Sequence, residues 1–161
     1  MIIREYTTND FAQCIEIFDS NCPLFFDPSE RELFIHWLNH QAGEGQPYRS
    51  PTYSNSVQDK YYVIENEGRT LVACGGFYVV NEPKEARLAW GMVHAQYHKM
   101  KYGTALFHNR REQIKKDWPT YLITLGTSQH TYLFYEKMGL KVMAIEKAGY
   151  GPSLDKYDMQ E

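Results

Sequence analysis

The pattern of apolar and polar positions divides the chain into short segments with two periods. Residues 2–6, Ile-Ile-Arg-Glu-Tyr, are β-branched and aromatic, and Thr7-Thr8-Asn9-Asp10 behind them supplies side chains able to cap a helix. A strand followed by a helix over about residues 10–20 is predicted, with Phe11, Cys14, Ile15 and Phe18 at helical spacing and Pro23 as its stop. In Pro28-Ser29-Glu30-Arg31-Glu32 the S-x-x-E spacing of Ser29 and Glu32 marks a second helix start. Leu33, Phe34, Trp37 and Leu38 form its expected buried side. Residues 40–60 have no sustained periodicity and carry Gly43, Gly45, Pro47 and Pro51, which predicts a loop, of a length expected either of a substrate-binding loop or of a merely flexible one.

Strand signals then dominate. Residues 61–65 and 70–80 flank the turn Asn66-Glu67-Gly68, Gly75-Gly76 marks a bulge or close approach, and Glu82-Pro83-Lys84 leads into a strand at 86–93. A helix follows at 103–116, ended by Asp117-Trp118-Pro119, then a buried strand at 121–125. A short helix at 131–138 stops at Gly139 in a left-handed cap, and strands at 141–145 and 156–159 close the chain. The order β-α-α-β-β-β-α-β-α-β-β predicts an α+β architecture. No repeat, low-complexity tract or linker interrupts it, so residues 1–161 are expected to form a single domain.

Composition narrows the class of function. With 43% hydrophobic and 23% charged residues the chain can build a core, and its apolar runs fall short of the roughly 20 residues that a membrane span needs. The opening residues lack the features of a secretory leader, so the expected location is cytoplasmic, with no membrane association. A net charge of −3 with scattered Lys and Arg argues against nucleic acid as a partner. Cys14, Cys22 and Cys74 have neither an even count nor a C-x-x-C spacing, and read as reduced thiols.

A strand running into a loop and then a helix N-terminus offers unpaired amides and a favourable dipole to an anion, phosphate above all. The segment from Val93 to Phe107 has this form, with Gly103 admitting close approach and Lys99 and Lys101 adding charge. His98-Lys99-Met100-Lys101-Tyr102-Gly103-Thr104-Ala105-Leu106 resembles the coenzyme A signature Q/R-x-x-G-x-G/A of the GNAT superfamily. His98 stands where Gln or Arg is usual, and Lys101 where the first glycine is usual. Downstream, Phe134-Tyr135-Glu136-Lys137-Met138-Gly139-Leu140 is similar to the family's F/L-Y-x-K-x-G-F block. The resemblance covers nearly the whole chain apart from residues 40–60.

What the resemblance implies is the GNAT fold, a mostly antiparallel sheet splayed between its fourth and fifth strands to admit acetyl-CoA. Backbone groups of Met92 and Val93 would pair with the pantetheine arm, and an amide near Val93 would polarise the thioester carbonyl. Amides of Lys99, Met100, Lys101, Tyr102, Gly103 and Thr104 would hold the pyrophosphate, beside His98. Ser128 occupies the place of an asparagine that touches the coenzyme in many relatives. Tyr135 matches the proton donor, so the expected activity is acetyl transfer to a primary amine by direct attack on the thioester. The alternative is a non-catalytic acyl-CoA-binding or sensory module on the same fold.

The general base is left open. The fourth-strand position of a catalytic glutamate in histone-modifying relatives falls on Arg87, and Glu82, Glu85 and His94 are nearby titratable candidates. His36 and His40, four apart on a predicted helix, lack a third ligand, and no metal is expected. Arg110, Arg111, Lys115 and Lys116 read as a solvated helix face with a secondary claim on the coenzyme's 3′-phosphate. No G-x-S-x-G elbow suggests a hydrolase. A polyamine, amino acid, amino sugar, peptide N-terminus or protein lysine are all compatible acceptors, with residues 40–60 leaning to a small polar or aromatic one. An exposed sheet edge would permit a homodimer.

Overall fold

The computed structural model describes residues 1–41 and 56–161. Its elements are β1 (Ile2–Glu5), α1 (Phe11–Ser20), α2 (Arg31–Gln41), β2 (Ser56–Glu65), β3 (Leu71–Val80), β4 (Glu85–Val93), α3 (Tyr102–Asp117), β5 (Leu122–Thr127), α4 (Tyr132–Lys137), β6 (Lys141–Gly151) and β7 (Leu154–Gln160). Among these residues the strands form one sheet in the order β1-β2-β3-β4-β5-β7-β6. Every neighbouring pair is antiparallel except β4 with β5. The architecture is α+β, as the pattern of periods requires.

β3 is buried along its whole length because helices cover both faces of the sheet centre, which is why its sequence reads as one apolar run. On one face Cys14, Phe18, Phe34 and Trp37 of α1 and α2 pack against Tyr61, Cys74 and Tyr78. On the other, Phe107 and Ile114 of α3 pack against Phe77, Leu88, Ile123 and Leu125. Cys14 and Cys74 are buried free thiols, and Cys22 is partly buried. At the far edge, β6 leaves Met143 and Ile145 exposed. Among the described residues no helix is long and apolar enough to cross a membrane.

Several local expectations shift. The cap ahead of α2 is Asp27, not Ser29: Asp27 accepts from the Ser29 amide, and Glu30 Oε2 accepts from the Asp27 amide at 2.8 Å. Pro28 decides this, since its fixed φ and missing N–H suit the first position of a helical turn. Leu33 is exposed rather than buried. The loop expected over 40–60 is shorter at both ends, because α2 continues to Gln41 and β2 begins at Ser56, pairing with Val80. The remainder of that loop, residues 42–55, lies outside the described residues. The anticipated bulge lies on the partner strand: Trp90 and Gly91 of β4 together oppose Gly75 of β3.

β1 is tied to the body by a charged knot. Arg4 donates to both oxygens of Asp10 at 2.8 Å and pairs with Glu65 at 2.6 Å. Burial opposes the charge on Asp10, yet the Arg4 hydrogen bonds and the Thr7 amide hold its carboxyl below its ordinary value. Asp10→Asn is therefore expected to lose about 2 kcal/mol, between an exposed and a fully buried ion pair. Urea denaturation against pH checks it: the gap should be full above about pH 3.9, where an unfolded aspartate is ionised, and vanish as pH falls through the lower folded value.

Candidate active site

The parallel contact between β4 and β5 is short. Glu85 to Leu88 pair with Leu122 to Leu125, after which β5 continues beside β7 while β4 turns away through the Trp90–Gly91 bulge. Trp90 has φ 49°, a conformation that side chains rarely adopt. Its ring is held against Phe26 at 6.2 Å and Phe34 at 5.2 Å, and its carbonyl accepts from the Tyr61 hydroxyl at 2.9 Å. The diverging strands open a cleft of about 790 Å³ that both Met92 and Val93 line.

One end of the cleft meets the start of α3. The first helical bond there runs from the Ala105 amide to Lys101 O at 3.0 Å, so the amides of Tyr102, Gly103 and Thr104 precede the helical ladder. Lys99 and Lys101 have φ 64° and 66°, so the loop keeps the left-handed turns that glycine would favour, with lysine in their place. Both lysines, Tyr102, Gly103 and Thr104 line the cleft, whereas Met100 lies exposed beside it. A methyl group built on Gly103 would meet Phe134 and Val93 at ordinary contact distances of 3.6 and 3.7 Å.

His98 also lines the cleft, and its Nε2 is engaged inward, 2.9 Å from Val93 O and 3.0 Å from Asn21 Oδ1. Asn21 Nδ2 donates to the same Val93 carbonyl at 2.9 Å. This side chain thus pins the loop to the end of β4 and to α1, which makes it a positioning group. Ser128 is buried at the cleft wall, its Oγ accepting from the His130 amide at 3.3 Å. The expected solvated face of α3 holds only in part. Arg111 and Lys115 pair with Glu161, but Arg110 is buried and points under the sheet, with Gly75 and Gly91 leaving it room.

Tyr135 enters from α4, its ring edge-on to Phe107 with centroids 6.2 Å apart. It lines the cleft, and among the described residues nothing hydrogen-bonds its hydroxyl. At the end away from α3 stand Phe26, Glu30, Tyr78, Arg87, Trp90 and Tyr150. Burial pushes the Glu30 carboxyl up to about 7, against the pull of the Asp27 amide. Burial also raises the Tyr150 phenol, with Glu30 and Asp158 adding to it and Arg87 opposing. Arg87 itself is paired with Asp158 at 2.8 Å and lies 3.7 Å from Glu85.

None of the bases suggested by sequence lines the cleft: Glu82 and His94 lie outside it, and Glu85 is buried with Thr124 donating to its carboxylate. His40 Nε2 lies 2.9 Å from Asp59 Oδ2. Glu30 and Tyr150 are among the polar groups that sequence reasoning missed, with Asn21, His130 and Lys156. The D-P-x-E spacing of Asp27 and Glu30 was the available signal for the first. Tyr150 had none, since only the β6–β7 pairing brings it back over Gly126 and Arg87.

Residues 12–140 match the acetyltransferase (GNAT) family. The chain belongs to the GNAT family of acetyltransferases, and it is an acyltransferase. Its fold is shared by solved structures of low sequence identity. A GNAT-family protein of Desulfovibrio desulfuricans is 17% identical with a TM-score of 0.77, over 99% of this chain and 97% of that one. An aminoglycoside 6′-N-acetyltransferase complexed with coenzyme A is 17% identical, TM-score 0.72, over 100% and 96%. The ribosomal-protein-S18-alanine N-acetyltransferase of Escherichia coli is 18% identical, TM-score 0.72, over 99% and 91%. No curated protein matches the sequence. The splayed GNAT sheet here therefore carries an unusual loop, a histidine-pinned turn with lysines at its left-handed positions.

Two stability changes follow from that loop. His98→Ala should cost about 1–2 kcal/mol by leaving Asn21 and Val93 without their shared partner, and His98→Gln, which keeps a donor, should recover part of it. Lys101→Gly should stabilise by about 0.5 kcal/mol, the relief of a left-handed residue partly offset by the greater chain entropy of glycine. Urea unfolding of the three variants checks both.

Proposed function

We propose that the protein transfers an acetyl group from acetyl-CoA to a primary amine by direct attack on the thioester. The observation that carries this is the cleft itself: a β4 edge left without a β5 partner beyond Leu88, with an uncapped helix start at one end and Tyr135 among its lining residues.

The residues present suit the coenzyme. The amides at the start of α3, with Lys99 and Lys101 beside them, suit a pyrophosphate by charge and by hydrogen bonding. The unpaired edge near Met92 and Val93 offers backbone groups to a pantetheine amide, and Ser128 adds a hydroxyl at the opposite wall. The donor supplies an activated acyl group, and the chain's own part is to orient it and manage protons. An amide near Val93 would stabilise negative charge developing on the carbonyl oxygen. Tyr135 would protonate the departing sulfur, which lowers the barrier to loss of thiolate.

Calorimetry with acetyl-CoA tests the coenzyme site without knowledge of the amine: acetyl-CoA should bind and ATP should not. With an accepted amine, Tyr135→Phe should lower kcat about 100-fold and change acetyl-CoA affinity by no more than about twofold. An unchanged kcat across pH would remove Tyr135 from the role.

A further inference from the structure

We infer that the Glu30 carboxylate receives the acceptor's ammonium group and takes its proton, and that the acceptor is a monoamine on a flat or apolar body. This rests on the N-acetyltransferase reading above and assigns the base and the substrate class for the same cleft.

Among the described residues Glu30 is the one carboxylate that lines the cleft, and no cation pairs with it. One of its oxygens is occupied by the Asp27 amide at 2.8 Å, which orients the group and leaves the other oxygen for a ligand. The turn that carries it is braced by the β6–β7 hairpin: a methyl built on Gly151 would come within 2.6 Å of Asp27 Oδ1. A half-buried carboxylate without a counter-ion is costly, and an ammonium is the group that relieves the cost. The groups facing Glu30 are Asp27 on its own turn, Cys22 before it, and Tyr150 on β6, with Arg87 on β4 and Lys156 on β7 further along the wall.

The rest of this end selects against several positive charges. Beyond Glu30 the walls are the rings of Phe26, Tyr78, Trp90 and Tyr150, while Arg87 and Lys156 are already directed to Asp158 at 2.8 and 3.6 Å. Among the described residues a second ammonium on a polyamine or amino sugar would find cations and rings but no second carboxylate. A single amine on an aromatic or aliphatic body places its charge on Glu30 and its body between rings, with cation–π support from Trp90.

The bound ammonium gives one proton to Glu30 and becomes a neutral amine, whose lone pair forms the C–N bond. The tetrahedral intermediate expels sulfur, which takes the Tyr135 proton. The nitrogen's second proton restores Tyr135, and Glu30 releases its own to solvent.

Glu30→Gln is a clean test, because glutamine still accepts the Asp27 amide and preserves the turn. Calorimetry on the CoA-loaded protein at mildly alkaline pH would use phenethylamine and spermidine as probes. The expectation is tighter binding of phenethylamine, weakened at least about tenfold in Glu30→Gln, with acetyl-CoA affinity unchanged. Turnover of phenethylamine, followed by thiol release, should show kcat/KM breaking downward as pH drops below about 7 in the wild type, and no break there in Glu30→Gln, whose kcat/KM follows the amine's own deprotonation throughout. Tighter binding of spermidine, no binding of phenethylamine, or equal binding in both proteins would overturn the inference while acetyl-CoA still binds. Failure of the wild type to bind acetyl-CoA would overturn the function proposed above instead.

Discussion

The constraint on which the rest depends is the early end of the β4–β5 ladder. After four residue pairs the strands part, because an extra residue in β4 rotates its backbone away at Trp90. An open edge inside a sheet leaves amides and carbonyls without ladder partners, a state that a folded protein avoids unless something else meets them. Val93 O is met by His98 and Asn21, and Trp90 O by Tyr61. The edge between them faces the cleft. Aromatic packing from α1 and α2 holds the left-handed Trp90 in place, so the core on that face maintains the opening as well as the fold.

The cleft is electrically unequal along its length. Near α3 the helix start and two lysines favour an anion, and at the far end Glu30, which has no counter-ion among the described residues, favours a cation. The acyl transfer proposed above, from a phosphorylated thiol carrier to an amine, suits that polarity, and the splay lies between the two poles. The gap is bordered on the α3 side by Arg110, an arginine whose guanidinium reaches only backbone carbonyls among the described residues, Leu106 O at 3.3 Å and Gly76 O at 3.4 Å. Gly75 and Gly91 make the space it fills, so three sequence-distant residues are one structural unit.

Much of the fold was legible in advance because its signals are local. The order of strands and helices followed from period and turn residues, and Gly139 takes the left-handed cap that its place after a short helix demanded, with φ 98°. The two motif segments likewise border the cleft, since helix starts and strand ends are set by neighbours in sequence. Two cap signals overlap at the start of α2, and D-P-x-E at Asp27 prevails over S-x-x-E at Ser29, which orients Glu30 back to the Asp27 amide.

The sequence by itself determined which segments are strands and helices, the presence of a helix start with free amides behind a strand, and the tyrosine on α4, because each depends on a few adjacent residues. Only the tertiary structure decided that the bulge belongs to β4 rather than β3, that Arg110 is buried, and that Glu30, Tyr150 and Arg87 face one cleft. Those facts depend on strand register and on contacts between residues distant in sequence. Register is set by how whole faces pack, and no window along the chain contains that information.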